Sequence, residues 1–384
     1  MTRIAALLLI PAFAVLLCAA FATAQSDPLP LGAITPLGTV PCVVNSSHPL
    51  KGAKCIGVTV DCTNIDPGLT PLVATLAIST PATPLGTIFL HAGGYGTAYL
   101  TVPNPVSYAQ KYLTAGYQVV QIAWEDGWQS TYTGAPALEP IAFAACRPAT
   151  VLYYVYKKIH GGSNGAGAMC AQGDSAGSAA TAYSLAMYGS SSYLDNVLLT
   201  DGPVYSDVQQ GCQYPNIVPS VALCAGGVGC DTQQSWTDFP QFLNKPVGNS
   251  PAESVAAYTI PGSNCNNWQM DGMPTTSAQN MDWQNMSVTS SNAMYNYPQT
   301  SLRAFLCGAP APGHPQNNSA AQGWLFYQNF IPPNTGFALN FLVHRIDNCP
   351  TSESPWYGVD NGEGGQSGFI VSMNDMLTLC QKNH

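Results

Sequence analysis

Short apolar runs bounded by turn-forming residues recur along this chain: Leu72 to Ile78, Thr87 to Leu90, Gln118 to Trp124, Ala168 to Ala171, Val197 to Thr200 and Leu302 to Cys307. Runs that are apolar on consecutive positions predict strands buried on both faces. Between them the spacing lengthens to that of helices. Pro105 to Ala115 reads as a helix with Asn104 as its cap and proline in its first turn, and Pro148 to His160 carries Val151, Val155 and Ile159 on one face. Such alternation predicts a mostly parallel sheet with helices on both faces. The rhythm lapses between Gly202 and Tyr297. It resumes with a strand near Leu302, a helix over Ala320 to Phe330, a strand from Phe337 to Val343 and a last helix through Ile370 to Cys380.

The lapse, about residues 204–297, is rich in Gly, Asn, Ser, Gln and Cys. It is too long for an ordinary connection and reads as an insertion, a disulfide-held lid on one large domain spanning 25–384. The first 24 residues differ in kind: Arg3, an apolar run interrupted by Pro11, then Ala22-Thr23-Ala24. That is the pattern of a secretory signal peptide cleaved before Gln25. The run is shorter and worse flanked than a spanning helix needs, so no stable membrane anchor is expected, and Leu17 before Cys18 argues against a lipid anchor. Removing the signal leaves 12 of the 13 cysteines, an even number that fits an oxidising compartment, extracellular or periplasmic. Closeness along the chain favours exchange among Cys42, Cys55 and Cys62, and within a second group of Cys212, Cys224, Cys230 and Cys265. No cluster has the spacing of a metal site, and no cofactor is implied. With 11 Lys and Arg against a formal charge of −9, the chain lacks the cations that nucleic-acid binding requires. Asn45, Asn285 and Asn317 open N-x-S sequons.

The chemistry concentrates at Gly173-Asp174-Ser175-Ala176-Gly177, a G-x-S-x-G set between a strand and an alanine-rich helix that glycine ends at 189. A serine in so tight a turn needs small neighbours on both sides, and the helix behind it favours developing negative charge. Outside that context the same residues would merely cap a helix. Upstream, the strand at Thr87 to Leu90 runs into His91-Ala92-Gly93-Gly94-Tyr95-Gly96.

On these two motifs the chain resembles the α/β-hydrolase superfamily, in particular its esterase and lipase-like branches. The resemblance covers most of the chain as an order of elements, but its specific motifs cover only 91–96 and 173–177. It implies an α/β-hydrolase fold, Ser175 as nucleophile, an oxyanion hole from the amides of Gly93, Gly94 and Ala176, and no cofactor. Ala92 stands where that family has a first glycine, and His91 would orient the loop rather than move protons. The family's order of serine, acid, histidine leaves His314, His344 and His384 as bases; His344 is preferred, at the end of the strand-like Phe337 to Val343. The acid is the weakest element, because Gly308 to Ser319 contains neither Asp nor Glu. Asp201, in Thr-Asp-Gly-Pro, is the candidate, against a plain turn role. Asp347 follows His344 too closely, and Asp360 and Glu363 fall in a polar loop.

The implied activity is hydrolysis of a carboxylic ester, on a small molecule or a polymer-linked acyl group, through an acyl-enzyme. Gly173 to Gly177 is also close to the GDSGG of trypsin-like peptidases, with His91 and Asp126 in the matching order, but a helix and some 200 residues follow where such a chain nears its end. Glu125 and Asp126 as a glycosidase pair point apart on a strand. The alternative from another class is a non-catalytic hydrolase-fold protein with a degenerate triad, binding a ligand through its insertion with Trp236, Trp268 and Trp283.

Overall fold

The computed structural model describes residues 27–104, 106–129, 141–203, 287–288, 293–310, 326, 340–350 and 354–382. The expected signal segment, nearly all of the 204–297 insertion with its cysteines and tryptophans, His314, His384, and the helix over 320–330 apart from Phe326 lie outside these residues.

Each of the six short apolar runs lies in a strand, and the strand expected from Phe337 to Val343 is found at Phe341–Cys349. In chain order the elements are β1 (Ala33–Thr39), β2 (Lys54–Asp61), β3 (Leu72–Ser79), β4 (Gly86–His91), α1 (Tyr108–Thr114), β5 (Gln118–Trp124), α2 (Ile141–Ala144), α3 (Cys146–Tyr154), β6 (Ala168–Asp174), α4 (Ala176–Tyr188), β7 (Asn196–Thr200), β8 (Ser301–Pro310), β9 (Phe341–Cys349), β10 (Val359–Asp360), β11 (Gln366–Ser367) and α5 (Gly368–Leu379). Among the described residues they form one sheet ordered β1-β2-β3-β5-β4-β6-β7-β8-β9-β10-β11. From β5 through β9 all neighbours are parallel. The flanks, β1-β2-β3-β5 and β9-β10-β11, are antiparallel.

The central strands read as unbroken apolar runs because both faces are covered. On β6, Met169 and Ala171 join the core beneath α3 and α4, while Ala168 and Cys170 join the core beneath α1 and α5. The same alternation divides Val197 and Leu199 from Leu198 on β7, and Ala304 and Leu306 from Phe305 on β8. Val151 and Val155 are buried and Ile159 packs against them, as their spacing predicts, although the helix passes into a π-turn at Val155–His160.

Three expectations change. The helix after β4 begins later and is capped by Ser107, whose hydroxyl accepts from the Gln110 amide (3.3 Å), while the Asn104 amide donates to the Tyr357 hydroxyl. The two proximal strands β1 and β2 carry no long apolar run and were not expected; β1 is an exposed edge. Among the described residues four disulfides are formed, Cys42–Cys55, Cys62–Cys146, Cys170–Cys380 and Cys307–Cys349. Only the first is the local exchange that closeness favours; Cys62 pairs instead across the fold with the first residue of α3.

Candidate active site

Ser175 stands between the last residue of β6 and the first of α4, with φ 50° and ψ −117°, a region that side chains rarely occupy. Its amide donates to the Thr200 carbonyl (2.9 Å) and its carbonyl accepts from the Ala179 amide (3.1 Å), so the turn is held from β7 and from within α4. The glycines on either side are required by space. A Cβ on Gly173 would collide with the Gly177 backbone, and one on Gly177 with the carbonyls of His91 and Ala92. Ser175 itself stays partly exposed while the residues around it are buried.

The turn after β4 lies against this elbow. A Cβ on Gly93 would sit 3.0 Å from Ser175 Cβ and 3.1 Å from Asp174 Oδ2. Gly94 has φ +61° and is exposed. Among the described residues no acceptor takes the amide of Gly93 or Gly94, and Ala176, as the first residue of α4, has an amide the helix does not use. The Gly93 backbone therefore borders the serine, and the Ala176 amide follows it directly in the chain. His91 is buried and holds one proton in a fixed place: Trp124 Nε1 donates to Nε2 (3.1 Å), and Nδ1 faces the Ala92 carbonyl (3.1 Å). Burial lowers its pKa to about 4, so it is a neutral ring, in keeping with an orienting role.

Asp201 follows β7 beside the elbow. It is fully buried, has φ 53°, and its amide donates to the Phe305 carbonyl (3.0 Å). A Cβ on the next residue, Gly202, would lie 3.0 Å from the Ser175 carbonyl. Ser175, Gly93, Gly94, Ala176 and Asp201 all follow the C-terminal ends of β6, β4 and β7, on one edge of the sheet.

His344 does not join them. It is the fourth residue of β9 and not in a loop after a strand. Register carries Asp174 to Thr200, Thr200 to Phe305 and Phe305 to His344, three strand spacings or about 14 Å. Both ring nitrogens face carboxylates, Nδ1 with Asp360 Oδ2 at 2.9 Å and Nε2 with Asp375 Oδ2 at 3.0 Å, and the ring stacks on Phe305 at 4.3 Å. Asp360 is completed by the amides of Gly362 and Glu363, and Asp375 by Arg303 at 3.5 Å. Each ring nitrogen thus has a carboxylate oxygen within hydrogen-bond distance. His344 ties β9 to β10 and α5, three strands away from the serine turn.

Sequence reasoning left Asp360 in a loop of unknown position; the Asn361-Gly362 pair that follows it was the available sign of a hairpin turn. Asp375 and Trp124 carried no chemical signal, being one carboxylate in a largely apolar helix and one apolar strand end. His160 faces Thr87 at the opposite end of β4 (3.0 Å). Among the described residues no group of three or more His, Cys, Asp or Glu could hold a metal.

The strand order, with β5 outside β4, and the strained serine turn at the end of the central parallel strand make this an α/β-hydrolase fold. No family model matches the chain. No curated protein matches it in sequence. Among solved structures it is similar to acetyl xylan esterase 1 from Thermoanaerobacterium sp. JW/SL YS485 (TM-score 0.46, 12% identity, 92% of this chain and 90% of that one). It is also similar to carboxyl esterase 2 from the mycorrhizal fungus Tuber melanosporum (0.40, 13%, 94% and 90%) and to a bacterial heroin esterase (0.41, 10%, 96% and 88%). At such distances the fold stands on the sheet order and the serine turn themselves.

Proposed function

We propose that the protein is an exported serine hydrolase that cleaves carboxylic esters through an acyl-enzyme on Ser175. The observation that carries this reading is the serine turn: a non-glycine residue held at positive φ, partly open, with the glycine turn of β4 flush against it. Strain of this kind costs about 1–3 kcal/mol and persists where the surroundings impose it, most often at reactive sites. Ser175 Oγ gives its proton to the base and attacks the ester carbonyl, and the amides of Gly93, Gly94 and Ala176 receive the oxyanion. The adduct collapses by breaking the ester C–O bond so that the alcohol leaves with that proton, and water then hydrolyses the acyl-serine to the acid.

The base falls to His314 by elimination. His344 has both nitrogens engaged. His384 lies two residues past Lys382, whose ammonium reaches the Ser163 carbonyl (3.0 Å) ahead of β6, the end of the sheet opposite Ser175. His314 follows β8, which runs parallel to β6 and leaves the sheet at the serine's edge. With Asp201 as the acid it also preserves the order serine, acid, histidine. Export by a leader over residues 1–24 is supported by the four disulfides, which need an oxidising compartment. Among the described residues no helix is long and apolar enough to cross a membrane. The 204–297 insertion shapes the acyl pocket in this reading, for a small-molecule or polymer-linked ester.

Labelling of the secreted, disulfide-intact protein by a fluorophosphonate tests the assignment. Wild type labels, Ser175→Ala does not, His314→Ala slows by at least a hundredfold and His344→Gln, if folded, labels at the wild-type rate. A folded wild type that does not label refutes the hydrolase and favours a ligand-binding protein with a degenerate triad. Slowing by His344→Gln alone returns the base to β9.

A further inference from the structure

The oxyanion turn is clamped from one side by a tryptophan. Trp124 closes β5, the strand next to β4, and is fully buried, as is Trp128 four residues on. The Trp124 indole donates to His91 Nε2 at 3.1 Å. A neutral imidazole carries one proton, so a ring that accepts at Nε2 must donate at Nδ1, and Nδ1 faces the Ala92 carbonyl at 3.1 Å. The peptide from Ala92 to Gly93 is planar and trans, so its carbonyl and the Gly93 N–H point in opposite directions. Fixing the one fixes the other.

The same tryptophan holds the far end of the turn. Its backbone amide donates to the Gly96 carbonyl (3.0 Å), the Gly96 amide closes back on the Gly93 carbonyl (3.1 Å), and the Trp128 amide donates to the Tyr95 carbonyl (3.2 Å). Gly96 lies against the rings: a Cβ there would be 2.8 Å from His91 Cε1, 2.9 Å from Trp124 Cδ1 and 3.2 Å from Trp128 Cδ1. Arg147, buried in α3, secures the Trp128 carbonyl (2.9 Å).

We propose that Trp124 is a positioning residue for ester hydrolysis: its indole N–H, by setting the tautomer of His91, aims the Gly93 amide as an oxyanion donor. The inference rests on the serine-hydrolase reading above. A merely structural tryptophan would act through its ring volume; a positioning one acts through a single N–H, which Trp124→Phe removes while leaving an aromatic ring.

Nitrogen-15 NMR of the imidazoles and turnover of p-nitrophenyl acetate test it together. In wild type, His91 is expected as the Nδ1–H tautomer. In Trp124→Phe it shifts toward Nε2–H, fluorophosphonate labelling and kcat fall about ten- to a hundredfold, and KM stays within about twofold, because the loss falls on the transition state. His91→Asn presents an amide donor near the position of Nδ1 without needing Trp124, so adding Trp124→Phe to it lowers kcat no further. An Nε2–H tautomer in wild type, a folded Trp124→Phe with unchanged kcat, or a loss in the double variant as large as in wild type overturns the proposal. If Trp124→Phe does not fold, the wild-type tautomer decides. An unreactive wild type sinks this inference and the hydrolase reading at once, whereas a reactive wild type beside an unchanged Trp124→Phe sinks the positioning role alone.

Discussion

Ser175 is held where its own backbone would not choose to be. At φ 50° and ψ −117° the position suits glycine, so Ser175→Gly is expected to raise stability by about 1 kcal/mol and to abolish fluorophosphonate labelling. Denaturant unfolding of the two proteins checks this; a less stable glycine variant would mean that the side chain, not the turn, supports the fold. His91 makes the opposite kind of statement, about acid. Its pKa is lowered by burial to about 4, against 6.5 unperturbed, so between those values the unfolded chain binds a proton that the folded chain refuses. Its contribution is present in full above about pH 6.5 and is lost as pH falls toward 4. The loss amounts to about 3 kcal/mol. Urea titrations at pH 7, 5.5 and 4.5 should show wild type losing more stability toward acid than His91→Asn, and parallel losses would contradict it.

At the scale of elements, legibility followed burial. Strands β3 to β8 were readable because both of their faces are covered and the code is simply a run of apolar residues. β1 and β2 were not: β1 is an exposed edge containing Pro36, and β2 puts Lys54, Gly57, Thr59 and Asp61 among its eight residues, a pattern that local reading cannot separate from loop. The π-turn at Val155–His160 escaped for another reason, since it keeps Val155 and Ile159 inward while changing only the hydrogen-bond spacing. In the site, the serine turn and its glycines were legible because steric need writes itself into adjacent letters. The setting of His344 was not legible because its partners are distant in sequence: Asp360 and Asp375 stand 16 and 31 residues away and meet it only when β10 and α5 dock on β9. A histidine at a strand end gives the same local signal whether it moves protons or ties elements together.

Across the whole molecule the cross-links divide labour by reach. Cys42–Cys55 closes 13 residues, Cys307–Cys349 42, Cys62–Cys146 84 and Cys170–Cys380 210. The last joins the end of α5 to β6, the strand that delivers Ser175, and so fastens the outer helix to the strand beneath the reaction centre. α5 is held there by further contacts, among them Ser372 with the Tyr108 hydroxyl (2.6 Å) and Asp375 with His344 and Arg303. If a cross-link acts by restricting the unfolded chain, its contribution grows with the logarithm of the loop it closes. That gives on the order of 3 kcal/mol for the 13-residue loop and on the order of 5 for the 210-residue one. The paired change Cys170→Ala with Cys380→Ala is therefore expected to lower stability by roughly 2 kcal/mol more than Cys42→Ala with Cys55→Ala. Denaturant unfolding of both variants under non-reducing conditions measures the difference, and labelling of Ser175 in the folded fraction follows the site. Equal losses would show that native contacts around α5, and not chain entropy, set the worth of the long cross-link. A labelling rate that falls in the Cys170 and Cys380 variant while the protein remains folded would show that the outer helix also steadies the strand that presents the serine.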